Sequence, residues 1–369
     1  MSDKIRFEYV WTDGYETPNL RSKVRYVTMT TNPTTASDVP SWSFDGSSTS
    51  QSEVSDSDLT LKPIKVYLDP FYSGDMKSYL VLCEVENSKG KPHVSNTRAD
   101  LRKTMEDNST DGFMFGFEQE YLLIDPSTRQ PFNWPKGKND EGDETVMFPA
   151  PQGRYYCGTG DFVKGRPFSD EHAELCIKAG VDIQGTNAEV MLSQWEYQIG
   201  HTNAMDACDD LMIARYIAEK LGEKYGVAIN MVPKPFPGDD WNGSGCHINF
   251  STPTFAAGKA DSKYIDELLA EVAEDHSEHI RSYGEGNVER LTGKNETPHM
   301  DDFEWGIGDR TVAIRIPSSK THLEDRRPAA NINPYTAVKS LLTSILSAEK
   351  NHGRQTASKR TKKKTATVA

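Results

Sequence analysis

Residues able to do chemistry fall in four separated segments. In Phe115-Gly-Phe-Glu-Gln-Glu-Tyr121, Glu118 and Glu120 stand two apart inside an aromatic run of strand character. A strand repeats every two residues, so both carboxylates point to one face. Such a pair is also ordinary on a solvated surface, although the flanking Phe113, Phe115, Phe117, Tyr121 and Leu122 make a fully solvated face less comfortable. Between Thr186 and Gly200, Glu189 and Glu196 are seven apart, which on one straight strand sends them to opposite faces. A hairpin turning at Leu192 and Ser193 would instead set them directly opposite each other on one face. Like charges so placed repel unless a cation lies between them; two separate exposed carboxylates are the alternative.

Asn242-Gly-Ser-Gly-Cys-His-Ile-Asn-Phe-Ser251 is a glycine-rich turn leading into an amphipathic strand. His247, Asn249 and Ser251 share one face, a metal-capable imidazole beside two hydrogen-bonding groups, and Cys246, Ile248 and Phe250 share the other. The last segment holds Arg290, Glu296, Arg310, Arg315, Glu324, Arg326 and Arg327. Guanidinium groups concentrated on turns and strands suit planar carboxylate or phosphate recognition, with surface salt bridges as the alternative. No G-x-x-x-x-G-K-[ST] occurs, and Gly158-Thr-Gly160 lacks the third glycine of a dinucleotide fingerprint, so any nucleotide site must be built without a P-loop. His276-Ser-Glu-His279 misses the inverted zinc spacing by one residue and reads as the polar surface of a helix.

The elements that must position these groups follow from periodicity. Phe7 to Trp11, Val24 to Thr30, Lys65 to Leu68 and Tyr79 to Val85 read as short strands of a small sheet domain over residues 1–95. A second domain, 96–350, mixes strands with helices. One opens at Asn96 or Thr97, one runs Asp170 to Ala179 behind Ser169, and one runs Ala204 to Tyr225 between an Asn203 cap and a Gly226 stop. Two more span Lys263 to Tyr283 and Tyr335 to Lys350. The class is α+β. Trp134 to Gly153, rich in Pro, Gly and charge, reads as a long mobile loop, and the Lys-rich 351–369 as a basic disordered tail.

A chain of 369 residues is long enough for two cores. Its formal charge of -13 argues against nucleic acid as a partner, because that affinity comes from Lys and Arg neutralising phosphates. Five widely spaced cysteines without a C-x-x-C pair indicate neither a disulfide framework nor a zinc ribbon, and a reducing cytoplasm is the expectation. No basic segment followed by an apolar stretch opens the chain, and no apolar run has membrane-spanning length, so no membrane association is expected.

Taken in order, Asp45-Gly-Ser-Ser48, Phe-Gly-Phe-Glu-Gln-Glu-Tyr, Asn-Ala-Glu-Val-Met with Gln-Trp-Glu, Gly-Cys-His-Ile-Asn-Phe-Ser, Arg-Leu-Thr-Gly with Asn-Glu-Thr, and Leu-Glu-Asp-Arg-Arg-Pro resemble type II glutamine synthetases. The resemblance spans about Trp11 to Leu346. It implies a small N-terminal β-grasp-like domain and a larger C-terminal catalytic domain with an antiparallel sheet, the fold shared with guanidino kinases. It also implies ATP-dependent ligation of ammonia to glutamate through a γ-glutamyl phosphate. Position by position, Glu120, Glu189 and Glu196 match one metal site, and Glu118, His247 and Glu324 a second, of a kind that suits Mg2+ or Mn2+. Arg290 and Arg326 match glutamate-binding arginines, Gly243 the backbone near the amino group, and Arg310 and Arg315 phosphate clamps. Glu120 and His247 would also face the substrate, while Glu118, Asn249 and Ser251 match ATP contacts. Asp45, Ser48, Tyr156 and Glu296 match the ammonium site, with Asp45 from a neighbouring subunit in a homo-oligomer of two stacked pentameric rings.

Met114, His201 and His322 depart from the usual Trp, Pro and aromatic residue, all on the nucleotide side. A γ-glutamyl-amine ligase, a guanidino kinase and a catalytically silent homologue are the competing readings. An intact ammonium set disfavours the first two, and the complete ligand set disfavours the third.

Overall fold

The computed structural model describes residues 3–366, with side chains through His352. From Asp3 to Glu86 runs a five-stranded sheet: β1 (Asp3–Thr12), β2 (Leu20–Met29), β3 (Trp42–Asp45), β4 (Asp58–Leu68) and β5 (Ser78–Glu86), in the order β2-β1-β5-β4-β3. β1 and β5 pair in parallel and the other neighbours are antiparallel. Both faces of the central strands are buried. Phe7, Tyr9, Trp11, Phe44 and Val81 form a local core, while Val10, Tyr67, Leu80 and Leu82 join the main core of the chain.

The rest contains α1 (Thr97–Glu106), β6 (Met114–Ile124), β7 (Lys136–Lys138), β8 (Glu144–Val146), α2 (Arg166–Ala179), β9 (Ile183–Ala188) and β10 (Gln194–Thr202). α3 (Ala204–Tyr225), β11 (Ala228–Asn230), β12 (Cys246–Ser251), α4 (Pro253–Ala256), α5 (Ser262–Glu274) and α6 (His276–Ser282) follow. β13 (Trp305–Ile307), β14 (Ile314–Ile316), β15 (Leu323–Asp325) and α7 (Pro334–Ala366) complete it. The second sheet runs β13-β14-β15-β12-β6-β10-β9, with β11 also on β6, and is antiparallel apart from β13–β14. The architecture is α+β, as expected. Phe115, Phe117, Tyr121 and Leu123 of β6 go into the core with residues of α2, α3 and α7, which leaves Glu118 and Glu120 on the opposite face.

α3 has the expected limits: the Asn203 side chain accepts from the Asp206 amide, and Gly226 closes the helix at φ 64°. Polar ties join this helix to the first sheet. Glu8 accepts from Tyr216 Oη at 2.6 Å and pairs with Lys220, and Asp210 accepts from Tyr67 Oη at 2.8 Å. Arg98 of α1 bridges Asp209 and Glu84, at 2.8 Å to each.

Four expectations need correction. The single helix over Lys263 to Tyr283 is broken at Asp275 into α5 and α6; the Asp275 carboxylate accepts from Ser344 Oγ of α7 at 2.6 Å instead of letting the helix run through. Trp134 to Gly153 is not a featureless loop. Its β7–β8 hairpin turns on Asn139, whose side chain accepts from the Glu141 and Asp143 amides, and buried Trp134 donates Nε1 to Leu192 O at 2.7 Å. The expected disordered tail continues α7 as far as Ala366, in keeping with its Ala, Lys, Arg and Gln content; 367–369 lie outside the described residues. His276 and His279 do not form a solvated helix face: His279 is fully buried, and both present Nδ1 to Arg327 Nη donors, at 2.8 and 3.3 Å.

Arg327 is itself fully buried, paired with Asp325 at 2.6 Å and lying over the Tyr283 and Phe303 rings. Asp325→Ala would leave that guanidinium buried without its counter-charge, a loss of about 3–5 kcal/mol. The expected outcome is a clearly lowered urea midpoint; a shift within about 0.5 kcal/mol of zero would show that the pair is not a structural anchor.

Candidate functional site

Strand register builds one polar face across the second sheet. On β6, Glu120 lies opposite Glu196 of β10, and Glu118 lies opposite Gln198 of β10 and His247 of β12. On β12, Asn249 lies opposite Glu324 of β15, which in turn lies opposite Arg315 of β14. Period-two alternation adds Arg326 two residues beyond Glu324. Glu196 faces Asn187, not Glu189, across β9–β10. The turn is longer than the two-residue hairpin expected: the Glu189 amide donates to Gln194 O at 2.9 Å, and Ser193 takes φ 73°. Glu189 therefore sits diagonally from Glu196, still on the shared face.

A cavity of about 540 Å³ opens on this face, lined by Glu118, Glu120, Glu189, Glu196 and His247 on one side. Arg290, Arg310, Arg315 and Arg326, with Tyr156, Gly243 and Glu296, line the rest. A larger space of about 1000 Å³ between the Thr17–Ser22 segment and the end of α3 contains none of these groups. Glu324 lies just beneath, paired with Arg315 and Arg326. Asn249 donates to Glu118 at 2.8 Å, and Ser251 ends β12 opposite Met114, outside the cavity lining. His201 and His322 meet with ring centroids 5.3 Å apart.

Asp45 and Ser48 are not in the cavity. They sit at the end of β3, exposed, with Asp45 accepting from Ser48 Oγ and Ser47 Oγ at 2.6 Å; these bonds hold its carboxyl down at about 2.

Ligand atoms of Glu118, His247 and Glu324 all lie within 4.8 Å of one another, the one such group of His, Cys, Asp and Glu among the described residues. Arg290 Nη2 lies 3.1 Å from His247 Nε2, and the ring's Nδ1 is turned to Glu118 at 3.4 Å and Glu324 at 3.5 Å. Gly243 and Gly245 make this approach possible, since a Cβ on either would come within 2.7 Å of Arg290 atoms. Burial opposes the charge on Glu118, but His247, Asn249 and Arg326 overcome it and hold the carboxyl down at about 2.

Glu120, Glu189 and Glu196 do not converge so tightly. Burial, then the neighbouring carboxylates, pushes Glu189 up to about 8 and Glu196 well above the ordinary range. A buried carboxylate set without its own cation is the chemistry of a hard-metal site, and three oxygens facing inward suit an ion that keeps some waters. Two buried polar atoms on the same face, Asn249 Oδ1 and Arg315 Nε, have no hydrogen-bond partner among the described residues.

Several residues that complete the site were not singled out from the sequence. Gln198 donates to Glu196 and to Asn187 at 3.0 Å, and Asn187 donates to Glu189 at 2.9 Å. Gln194 donates to Glu120 at 3.2 Å and to Gly243 O at 3.0 Å. Asn187 and Gln198 stand two residues from Glu189 and Glu196, so extending the same alternation would have found them; Gln194 depends on the turn and carried no such signal.

A carboxylate-and-imidazole floor under an arginine wall is chemistry suited to divalent cations and anionic substrates. Family comparison makes it specific. Residues 4–88 match the glutamine synthetase beta-Grasp domain and residues 95–358 the glutamine synthetase catalytic domain. The chain is 42% identical over 354 residues to a chloroplastic glutamine synthetase of Chlamydomonas reinhardtii, covering 92% of this chain and 90% of that protein. It is 44% identical over 339 residues to a glutamine synthetase of Suillus bovinus, covering 90% and 91%. To the mitochondrial glutamine synthetase 1 of Drosophila melanogaster it is 41% identical over 355 residues, covering 94% and 85%. The chain belongs to the glutamine synthetase family.

The raised carboxyl of Glu189 makes a pH-dependent prediction. Its protonated form is favoured in the fold, so the associated stability is complete below the ordinary carboxylate range and is lost as pH rises through about 8. Glu189→Gln removes that loss. In metal-free protein its Tm should exceed that of the wild type by a margin that widens from about pH 5 to about pH 9. A margin that stays constant or narrows would contradict the assigned direction.

Proposed function

We propose that Glu118, His247 and Glu324 hold one divalent cation and Glu120, Glu189 and Glu196 a second, with Mg2+ or Mn2+ as the ion. The reaction is the ATP-dependent ligation of ammonia to L-glutamate, giving L-glutamine, ADP and phosphate through a γ-glutamyl phosphate. The observation that carries the site assignment is the convergence of Glu118, His247 and Glu324 within 4.8 Å on a face opposed by four arginines.

A carboxylate is a poor acylating agent, and phosphorylation supplies it with a leaving group. The cations, when bound, neutralise phosphate charge. Arg310 and Arg315, both in the cavity lining, would face the transferring phosphoryl group. Arg290 and Arg326 hold the glutamate carboxylate, with Glu120 and His247 against the substrate and the Gly243 backbone near its amino group. Asn249 and Ser251 belong to the nucleotide side, together with Glu118. Asp45, Ser48, Tyr156 and Glu296 bind ammonium, and Asp45 takes its proton.

In this reading Asp45 and Ser48 come from a neighbouring subunit of a homo-oligomer of two stacked pentameric rings, which their absence from the cavity lining of their own chain supports. Residues 1–95 would thus form the domain that reaches the next subunit, and 96–350 the catalytic domain. Among the described residues no helix is long and apolar enough to cross a membrane, and the cysteines are unpaired, which supports a cytoplasmic location; some relatives bear organellar names.

Purified protein with Mg2+, ATP, glutamate and ammonium should form glutamine and phosphate together; phosphate release independent of ammonium would contradict ligation. Glu196→Ala should lower kcat at least ~1000-fold by dismantling one cation site, and turnover near wild type would remove it from the ligand set. Asp45→Ala and Glu196→Ala proteins, each inactive, should regain activity when dissociated and reassembled together. Failure to complement would place Asp45 outside the shared site.

A further inference from the structure

Glu296 lines the cavity from a turn with unusual backbone. Asn295 and Glu296 are consecutive non-glycine residues in the left-handed region, at φ 53° and 60°. Asn tolerates that region because its short side chain bonds locally; Glu has no such compensation, so the surroundings must impose the conformation. From behind, Arg326 Nη2 donates to Glu296 O at 3.1 Å, and Thr297 Oγ1 donates to Lys294 O at 2.7 Å and to Arg290 O at 3.1 Å. In front, the Asn295 amide donates to Asp239 O and to Trp241 O at 3.0 Å. Its own Oδ1 accepts from Gln152 Nε2 at 3.1 Å, and Gln152 also donates to Asn242 at 2.9 Å.

The receiving segment is firmly held. Trp241 stacks on Trp134 with centroids 5.5 Å apart and 20° between planes, and also meets Phe236 and Phe148. Trp134 in turn donates to Leu192 O, in the turn that follows Glu189. Asn295 is therefore where the Glu296 turn, the Trp241–Gly243 segment and the end of the β7–β8 hairpin segment meet.

We propose that Asn295, secured by Gln152 and the backbone of Asp239 and Trp241, is a positioning residue that holds Glu296 in its left-handed conformation over the cavity. The proposal rests on the reading of Glu296 as a group acting on ammonium. Asn295 lines the same cavity, and its part is to fix where the Glu296 carboxylate stands when ammonium arrives.

The test compares Asn295→Gly, Gln152→Ala, the double variant and Glu296→Ala in the full-length protein. Glycine keeps the left-handed backbone accessible and removes only the side-chain tie. Asn295→Gly should raise the KM for ammonium about tenfold, with KM for glutamate and ATP within about twofold of wild type. Gln152→Ala should raise it about threefold, and the double variant should be no worse than Asn295→Gly, since both act through one tie. Amide hydrogen exchange across the segment containing 293–297 should quicken in Asn295→Gly. Unchanged exchange, additive losses, or an equal rise in all three KM values would overturn the latch. If Glu296→Ala left the ammonium KM at the wild-type value, the role given to Glu296 would fall, while exchange in Asn295→Gly would still decide whether Asn295 holds the turn.

Discussion

Mutual repulsion among buried carboxylates is the constraint around which this molecule is arranged. Glu118, Glu120, Glu189, Glu196 and Glu324 stand on one face of one sheet, and removing several like charges from water is unfavourable unless opposite charge is supplied. The protein supplies part of it. Arg315 and Arg326 pair with Glu324, and His247 with Asn249 stabilises ionised Glu118. Among the described residues no cationic side chain pairs with Glu189 or Glu196, which accept from the side-chain amides of Asn187 and Gln198 and, for Glu189, from the Val190 backbone amide. In the proposed reading a cation completes the balance, and the face is a binding site held at a cost in intrinsic stability.

Keeping such a face flat and rigid requires a strong back. Behind β6, Gln119 is buried and accepts from Arg215 Nε at 2.9 Å, while Arg215 Nη1 donates to Ile332 O at 2.7 Å, so α3 is tied to the sheet and to the chain entering α7. Beside it, Asp325 and Arg327 form a dry pair immediately after Glu324. Alternation thus sends one member of each neighbouring pair to the chemistry and the other to the core: Glu118 against Gln119, Glu324 against Asp325, Arg326 against Arg327. Polar residues on both faces of short strands are explained by this division.

Local alternation was legible in the sequence, and long-range register was not. The shared faces of Glu118 with Glu120, and of His247 with Asn249, follow from a period of two and hold in the structure. That β12 pairs with β6, placing His247 against Glu118, depends on contacts between residues 129 positions apart and needed family resemblance to anticipate. The Glu189–Glu196 turn was misread by two residues because no Asn-Gly or Asp-Gly marks it and Ser193 adopts a left-handed conformation without glycine. His276 and His279 looked like helix surface because the buried arginine that explains them lies some fifty residues on. The hairpin after Trp134 was hidden by its polar composition, its anchor being one tryptophan set among aromatic residues from a distant segment.

If the face exists to gather opposing charge, the number of cations it takes is the most direct measure of the account. Titration of metal-free protein with Mn2+, followed by electron paramagnetic resonance of the free ion, should give about two sites per chain, falling to about one in Glu118→Ala and, separately, in Glu196→Ala. A wild-type value of one or none, or a value unchanged by both substitutions, would contradict the claim that these carboxylates are held together to bind metal.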